Sequence, residues 1–100
     1  MSAFATYGKI TAQPGKRDEL AAILLEASRG MEDVDGCRLY IVNIPEDDPN
    51  TIWVTELWRD AEAHDASLRD ERAIALIRKA RPLIAGAESI RLKPVGGKGL

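Results

Sequence analysis

The stretch TIWVTELWRD, residues 51–60, places a carboxylate and an indole where they could act together. Its β-branched and aromatic residues indicate a strand, and Glu56 and Trp58 are two residues apart. Successive side chains of a strand point to opposite faces, so these two share a face, while Trp53 faces the other way and should be a packing residue. An indole can line an aromatic ligand and donate one hydrogen bond. The alternative for Trp58 is a core tryptophan at a strand end.

Glu56 needs a partner if it is buried, because burying an isolated carboxylate is costly. One interpretation is structural: an ion pair or hydrogen bond to the backbone or to a helix residue such as an arginine. The other is functional, as the acid or base of a pocket. The structural interpretation is favoured, since ion-pair networks also place carboxylates inside proteins.

His64 is the single histidine of the chain and follows Trp58 by six residues. Ala61 and Leu68 share its side of a predicted short helix, so it should point inward. Histidine exchanges protons near neutral pH and could abstract a proton from a ligand. The alternative is a partly buried core histidine held by a hydrogen bond.

Further polar groups lie on predicted strands at Tyr7, Tyr40 and Asn43. Each could line a pocket or form a hydrogen bond at the edge of the sheet. Cys37 is expected to be a small buried hydrophobe. The sequence contains no CxxC, HxxxH or carboxylate cluster with metal-site spacing, so no metal is expected.

The elements that must position these residues follow from the hydrophobic periodicity. Asp60 is a candidate helix N-cap, Gly36 suits a turn with positive φ, and Pro82 should end or kink the last helix. The order strand, helix, strand, strand, helices, strand predicts an α+β, ferredoxin-like split βαβ fold, with helices on one face of a four-stranded antiparallel sheet. The two middle strands should form a hairpin. The predicted strands are 3–12, 37–44, 51–58 and 88–95, and the helical stretches are 16–31, 61–68 and 71–86.

The two middle strands are apolar on both faces. A sheet covered by helices on one side normally has a polar second face, so a second apolar face needs a second cover. Another copy of the chain is the economical cover, which predicts a homodimer packed sheet to sheet. The alternative cover is the last helix or the C-terminal tail. In the second predicted strand one face carries Cys37, Leu39 and Ile41 and the other carries Tyr40, Val42 and Ile44. In the third predicted strand one face carries Ile52, Val54 and Trp58 and the other carries Trp53 and Leu57.

Composition narrows the class of protein. The 100 residues suit one domain, and a net charge of −2 with mixed signs argues against a nucleic-acid surface. A single cysteine makes a reducing compartment the default. The first residues do not resemble a signal peptide, and no apolar run approaches the ~20 residues that span a bilayer. A cytoplasmic location without membrane contact is expected.

Several short motifs occur in a familiar order: PGKRDEL opens the first helix, DGCRLY enters the second strand, DDPNT precedes the third, ELWRD closes it, and ARPLIAG ends the helical region. Over residues 4–93 the chain resembles the antibiotic biosynthesis monooxygenase (ABM) domain family of dimeric α+β barrels. The resemblance implies one domain over 1–95 and a pocket between sheet and helices. Residues 96–100, GGKGL, are too glycine-rich to hold structure by themselves and should form a flexible tail. Characterised family members oxygenate anthrones and quinols without metal or organic cofactor, whereas other relatives degrade haem or isomerise small molecules.

The resemblance also assigns candidate residues. Trp58 matches the family's pocket tryptophan, and His64 stands where anthrone-oxidising relatives carry a proton-handling tyrosine. Ser67 and Val54 replace a histidine and an asparagine of the pattern. Gly8 replaces the asparagine of the haem-degrading branch, and His64 is about one turn too early for its axial histidine, which counts against haem.

The expected function is therefore a cofactor-independent monooxygenase that oxidises a phenolic, quinol or anthrone-like substrate with O2. His64 and Trp58 are the expected catalytic residues. The alternatives are a non-catalytic dimer of the same fold that binds a small molecule, or an isomerase or haem-handling relative. The expected substrate contacts are Tyr7, Tyr40, Val54, Glu56 and Ser67.

Overall fold

Three helices cover one face of a four-stranded antiparallel sheet in the computed structural model, which describes residues 3–100. The strand order is β2-β3-β1-β4. This arrangement confirms the predicted α+β, ferredoxin-like split βαβ fold. The elements are β1 (Phe4–Ala12), α1 (Arg17–Gly30), β2 (Cys37–Asn43), β3 (Thr51–Trp58), α2 (Ala61–Ser67), α3 (Glu71–Ala80), a 3₁₀ turn (Arg81–Leu83) and β4 (Ile84–Leu92).

Local sequence signals account for most element boundaries. Asp60 caps α2, since its carboxylate accepts a hydrogen bond from the Ala63 backbone N–H at 2.7 Å. Asp70 caps α3 in the same way through the Arg72 N–H at 3.2 Å. Gly36 enters β2 with a φ of 92°, which a residue without a Cβ adopts at low cost. The predicted cap and turn are therefore confirmed.

The last strand begins earlier than predicted. Helix α3 ends at Ala80, as Pro82 indicated, but residues 84–86 are not helical: β4 runs over Ile84–Leu92 instead of 88–95. The physical reason is β1, whose nine residues offer a long edge for pairing. The chain joins that edge directly after the turn, with Ile84 opposite Ala12 and Leu92 opposite Ala5.

The helix-facing side of the sheet forms the core with α1. Leu20 and Ile52 are fully buried there, next to Val54 and Ala80. Cys37 is only partly buried at the start of β2, so the expectation of a buried cysteine is wrong. Its position on an edge strand, before a register shift in the β2–β3 pairing, leaves it accessible on one side.

The opposite side of the sheet is an apolar face without a cover. Tyr7 is 42% exposed and Ile90 59% exposed, and they are cross-strand partners. Val95 in the tail is 93% exposed and does not pack over them. We call this surface the open face; its apolar members are Ala5, Tyr7, Leu39, Ile41, Trp53, Leu57, Ile90 and Leu92.

Among residues 3–100, every helix is too short or too polar to cross a membrane.

Candidate active site

A cavity of about 520 Å³ lies between the helix-facing side of the sheet and helices α1 and α3. This volume falls within the roughly 300–1,000 Å³ of small-molecule sites. The walls are mainly aliphatic, because α1 and α3 both direct apolar side chains toward the sheet. Representative wall residues are Ile10, Ile23, Leu24, Leu76, Ile77 and Ala80.

Glu56 is the carboxylate on the sheet wall of this cavity. It is half-buried, and its Oε1 accepts a hydrogen bond of 2.9 Å from the indole Nε1 of Trp58. The expected arginine partner is therefore replaced by the tryptophan two residues along the same face. Within residues 3–100 this is the one side-chain hydrogen bond made to Glu56, so its second oxygen has no side-chain partner there.

Tyr40 lies directly opposite Glu56 in the β2–β3 ladder and also borders the cavity. Burial, and secondarily the negative charge of Glu56, raise the pKa of the Tyr40 phenol. A phenol is already protonated at neutral pH, and this upward shift of the pKa moves its ionisation further from that range, so Tyr40 remains a hydrogen-bond donor. The two residues place a donor and an acceptor next to each other on an otherwise aliphatic wall.

Trp58 is fully buried, although it borders the cavity. Its ring is enclosed by neighbouring side chains, and its N–H is used by Glu56. In this conformation the indole holds the Glu56 carboxylate through its N–H and does not present an open aromatic surface to a ligand. The core interpretation of Trp58 thus describes its packing, and its contact with Glu56 connects it to the cavity.

His64 is buried beside Trp58 and lies outside the cavity lining. Its ring meets the indole edge-on, with centroids 5.5 Å apart, and contacts Phe4 at 5.0 Å. Its Nδ1 lies 2.9 Å from Oδ1 of Asp65, and this hydrogen bond is the main cause of the lowered pKa of the Asp65 carboxyl. The inward orientation predicted for His64 is confirmed, and its contacts are with the core.

The remaining predicted contacts are divided between different parts of the molecule. Ser67 borders the cavity, but its hydroxyl donates to the His64 backbone carbonyl at 2.6 Å. Val54 is a buried core residue outside the lining. Tyr7 lies on the open face, where it packs against Trp53 with ring centroids 5.0 Å apart. The cavity therefore brings together Tyr40, Glu56, Trp58 and Ser67.

The rim of the cavity carries charges that the sequence did not single out. Glu26 lies on α1, and Asp70 and Arg72 lie at the start of α3. Arg72 is largely exposed, and its guanidinium lies 3.4 Å from the Asp70 carboxylate. Ala73, Leu76 and Ala80 recur at helical spacing in the sequence and form part of this wall, but periodicity alone does not distinguish a cavity wall from a filled core.

The described lining of the cavity contains no histidine that could serve as an axial haem ligand. His64 is the only histidine of the chain, and its ring is enclosed by Phe4, Trp58 and Asp65. Within residues 3–100, no three side chains of His, Cys, Asp or Glu lie close enough together to hold a metal ion.

Comparison with known proteins identifies the family. The antibiotic biosynthesis monooxygenase family model matches residues 3–79, more than three quarters of the chain. The chain belongs to the ABM family. A Chloroflexus aurantiacus protein provisionally named an antibiotic biosynthesis monooxygenase has 42% sequence identity, 98% coverage of both chains and a TM-score of 0.88. No curated protein matches the chain.

More distant solved structures share the fold alone. The Pseudomonas aeruginosa protein PA3566 is 21% identical, with 96% of this chain and 97% of that chain covered and a TM-score of 0.88. A Nitrosomonas europaea protein with the same provisional family name is only 10% identical, covers 97% and 94% of the two chains, and has a TM-score of 0.90. The fold is thus retained while most side chains differ, so the chemistry must be argued from the site.

Proposed function

We propose that this ABM-family protein is a cofactor-independent monooxygenase that oxidises a phenolic, quinol or anthrone-like substrate with O2 in the helix–sheet cavity. The observation that carries the proposal is the half-buried carboxylate of Glu56 on an aliphatic wall, held by Trp58 and adjacent to the Tyr40 phenol. Such a site can accept a proton from an aromatic hydroxyl while it keeps the ring away from water.

The reaction needs no external reductant, because the substrate supplies the electrons. The substrate gives a proton to Glu56, and the resulting anion transfers one electron to O2. The two radicals form a C–O bond at a carbon that carries hydrogen, and the resulting peroxide anion takes the proton back from Glu56. The hydroperoxide then loses water, made from its OH group and that hydrogen, and leaves a carbonyl group. One oxygen atom enters the product and the other leaves as water. The aliphatic walls exclude water from the electron-rich anion, and this desolvation makes the anion easier to oxidise.

The roles of His64 and Trp58 follow from their contacts. Trp58 orients Glu56 through the indole N–H, and His64 holds the indole edge-on. We therefore assign proton acceptance to Glu56 in place of His64, and treat both aromatic residues as positioning residues. Ser67 supports the same region through its hydrogen bond to the His64 backbone.

The test is oxygen uptake with a panel of naphthols, quinols and anthrones. Replacing the base by Glu56→Gln should lower kcat by about 10²-fold or more, since general bases contribute about that much. His64→Ala and Trp58→Phe should lower kcat less while the product stays the same. Glu62→Gln, an exposed acid on α2 outside the cavity, is the matched control. An unchanged rate in Glu56→Gln would refute the assignment of the base.

A homodimer closed through the open face belongs to the same proposal. This face exposes large apolar side chains in neighbouring positions of several strands, and in a monomer these side chains would remain exposed to solvent. Sheet-to-sheet packing of two copies would bury them. In sedimentation experiments the protein should have twice the protomer mass, and Ile90→Asp should shift it toward the monomer. Leu25→Asp is the control, because Leu25 is 45% exposed but lies on α1. A monomeric wild-type protein at micromolar concentration would disprove the dimer.

A second candidate function is a dimer that binds an aromatic ligand without catalysis. It is favoured by Val54 and by the enclosed Trp58, since neither offers a polar group to a reacting substrate. This function predicts that ligands raise the melting temperature while oxygen consumption stays at the background rate. The two measurements on the same ligand panel distinguish the candidates.

A further inference from the structure

The charges that border the cavity are unevenly distributed between its interior and its rim. Glu56 lies on the sheet wall, whereas Glu26 is an exposed residue of α1 and Asp70 is the N-cap of α3. Among the described lining residues, Arg72 is the one cation. It is 69% exposed and lies 3.4 Å from the carboxylate of Asp70, so its charge is directed to the rim.

The interior therefore contains a carboxylate without a compensating cation. Two negative charges close together in a water-poor site repel each other more strongly than in solvent. An anionic ligand would meet this repulsion at Glu56, whereas at the rim the charge of Arg72 partly offsets those of Glu26 and Asp70. An uncharged ligand avoids the repulsion at Glu56.

The hydrogen-bonding groups on the wall are arranged to bind a hydroxyl. Glu56 uses one oxygen for Trp58 and can accept a further hydrogen bond through the other, and the phenol of Tyr40, its cross-strand partner, can donate one. A hydroxyl group both donates and accepts, so it satisfies the two residues together. An ether can only accept, and a carboxylate can only accept while it also adds a negative charge.

We propose that the cavity selects uncharged aromatics with a free hydroxyl group and rejects aromatic carboxylates, with Glu56 as the residue that determines this specificity. The inference rests on the proposed function in placing the substrate in this cavity. It is also compatible with the chemistry proposed there. Transfer of the hydroxyl proton to Glu56 neutralises the carboxylate as the substrate becomes an anion, so no pair of like charges forms.

The experiment is a calorimetric titration of the 100-residue protein with three probes of similar size at neutral pH: 2-naphthol, 2-methoxynaphthalene and 2-naphthoate. The naphthol should bind most tightly, and the naphthoate should bind about tenfold more weakly or worse. The methoxy compound should lose affinity by several-fold, because it leaves Glu56 without a donor.

Glu56→Gln tests the residue directly, since glutamine keeps an oxygen that can accept the Trp58 hydrogen bond. This variant should raise the affinity for naphthoate about tenfold relative to wild type, whereas Glu62→Gln should leave it unchanged. If Glu56→Gln fails to fold, the ratio of the three affinities in the wild-type protein still tests the proposal.

The outcomes separate this inference from the proposed function. Equal affinity for naphthol and naphthoate, no gain for naphthoate in folded Glu56→Gln, or no binding of any probe overturns the selection rule. The expected order of affinities without oxygen uptake supports the selection rule and refutes the monooxygenase. Oxygen uptake with carboxylated substrates as fast as with their hydroxyl counterparts supports the enzyme and refutes the selection rule.

Discussion

The hydrogen bond between Trp58 and Glu56 should be detectable as a coupling in protein stability. Its length of 2.9 Å and the half-buried position of the carboxylate place it among the charge-assisted hydrogen bonds, which contribute about 1.5–3 kcal/mol. Trp58→Phe removes this bond and leaves a small cavity in the core, so we expect a total loss of about 2.5–5 kcal/mol.

Glu56→Gln alone should cost less, about 1 kcal/mol, because the amide oxygen of glutamine can accept a neutral hydrogen bond from the indole. In the Trp58→Phe background the same substitution should cost nothing, since the carboxylate has already lost its donor. The double-mutant cycle should therefore show an interaction of about 1 kcal/mol.

The assay is urea unfolding followed by circular dichroism at one fixed protomer concentration, because dimerisation would make stability depend on concentration. Trp53→Phe is the matched control: Trp53 lies on the opposite face of β3, so its combination with Glu56→Gln should be additive. Additivity of Trp58→Phe and Glu56→Gln within about 0.3 kcal/mol would refute the coupling.

Three further predictions concern the scaffold. Gly36→Ala should destabilise the protein more than Gly15→Ala: both φ angles are positive, but a Cβ at Gly36 would lie 2.7 Å from Ala63 Cβ, while Gly15 has open space. Unfolding midpoints in urea would reveal this order, and equal midpoints would contradict it. Asp60→Ala should lower the melting temperature at neutral pH. The difference in melting temperature between wild type and Asp60→Ala should shrink as the pH falls below 3.8. The hydrogen bond from the Ala63 N–H lowers the pKa of Asp60, so the stabilisation by the ionised carboxylate is lost when Asp60 is protonated. Leu20→Ala should lower the free energy of unfolding by about 2–5 kcal/mol in the same urea assay, because Leu20 is fully buried. A loss below about 1 kcal/mol would show that neighbouring side chains repack into the space left by Leu20.

The sequence was sufficient for the topology because the deciding signals are local. The alternation in β3 correctly separated Trp53 from Trp58, and the cap at Asp60 identified the start of α2. The start of β4 was missed, since residues after Pro82 can follow either a helical or an extended pattern. The choice depended on pairing with β1, which is distant in sequence.

The site was predicted only in part for a similar reason. The alternation of side chains along a strand shows that Glu56 and Trp58 share a face of β3. It does not show which face of β1 the helices cover. Tyr7 was therefore predicted to line the pocket, although it lies on the open face. The helical spacing of the apolar residues around His64 correctly predicted that its side chain points inward. Its enclosure between Phe4 and Trp58, which separates it from the cavity, depends on how α2 packs against β1 and β3.

The sequence by itself determined the order of the elements, the two apolar faces of the sheet and the shared side of Glu56 and Trp58, because periods of 2 and 3.6 residues are properties of the local backbone. Only the tertiary structure decided that the carboxylate pairs with the indole, that Tyr40 joins it across the ladder, and that α1 and α3 stand far enough apart to leave a cavity. These features depend on distances between segments remote in the chain, and such distances arise only when the elements pack.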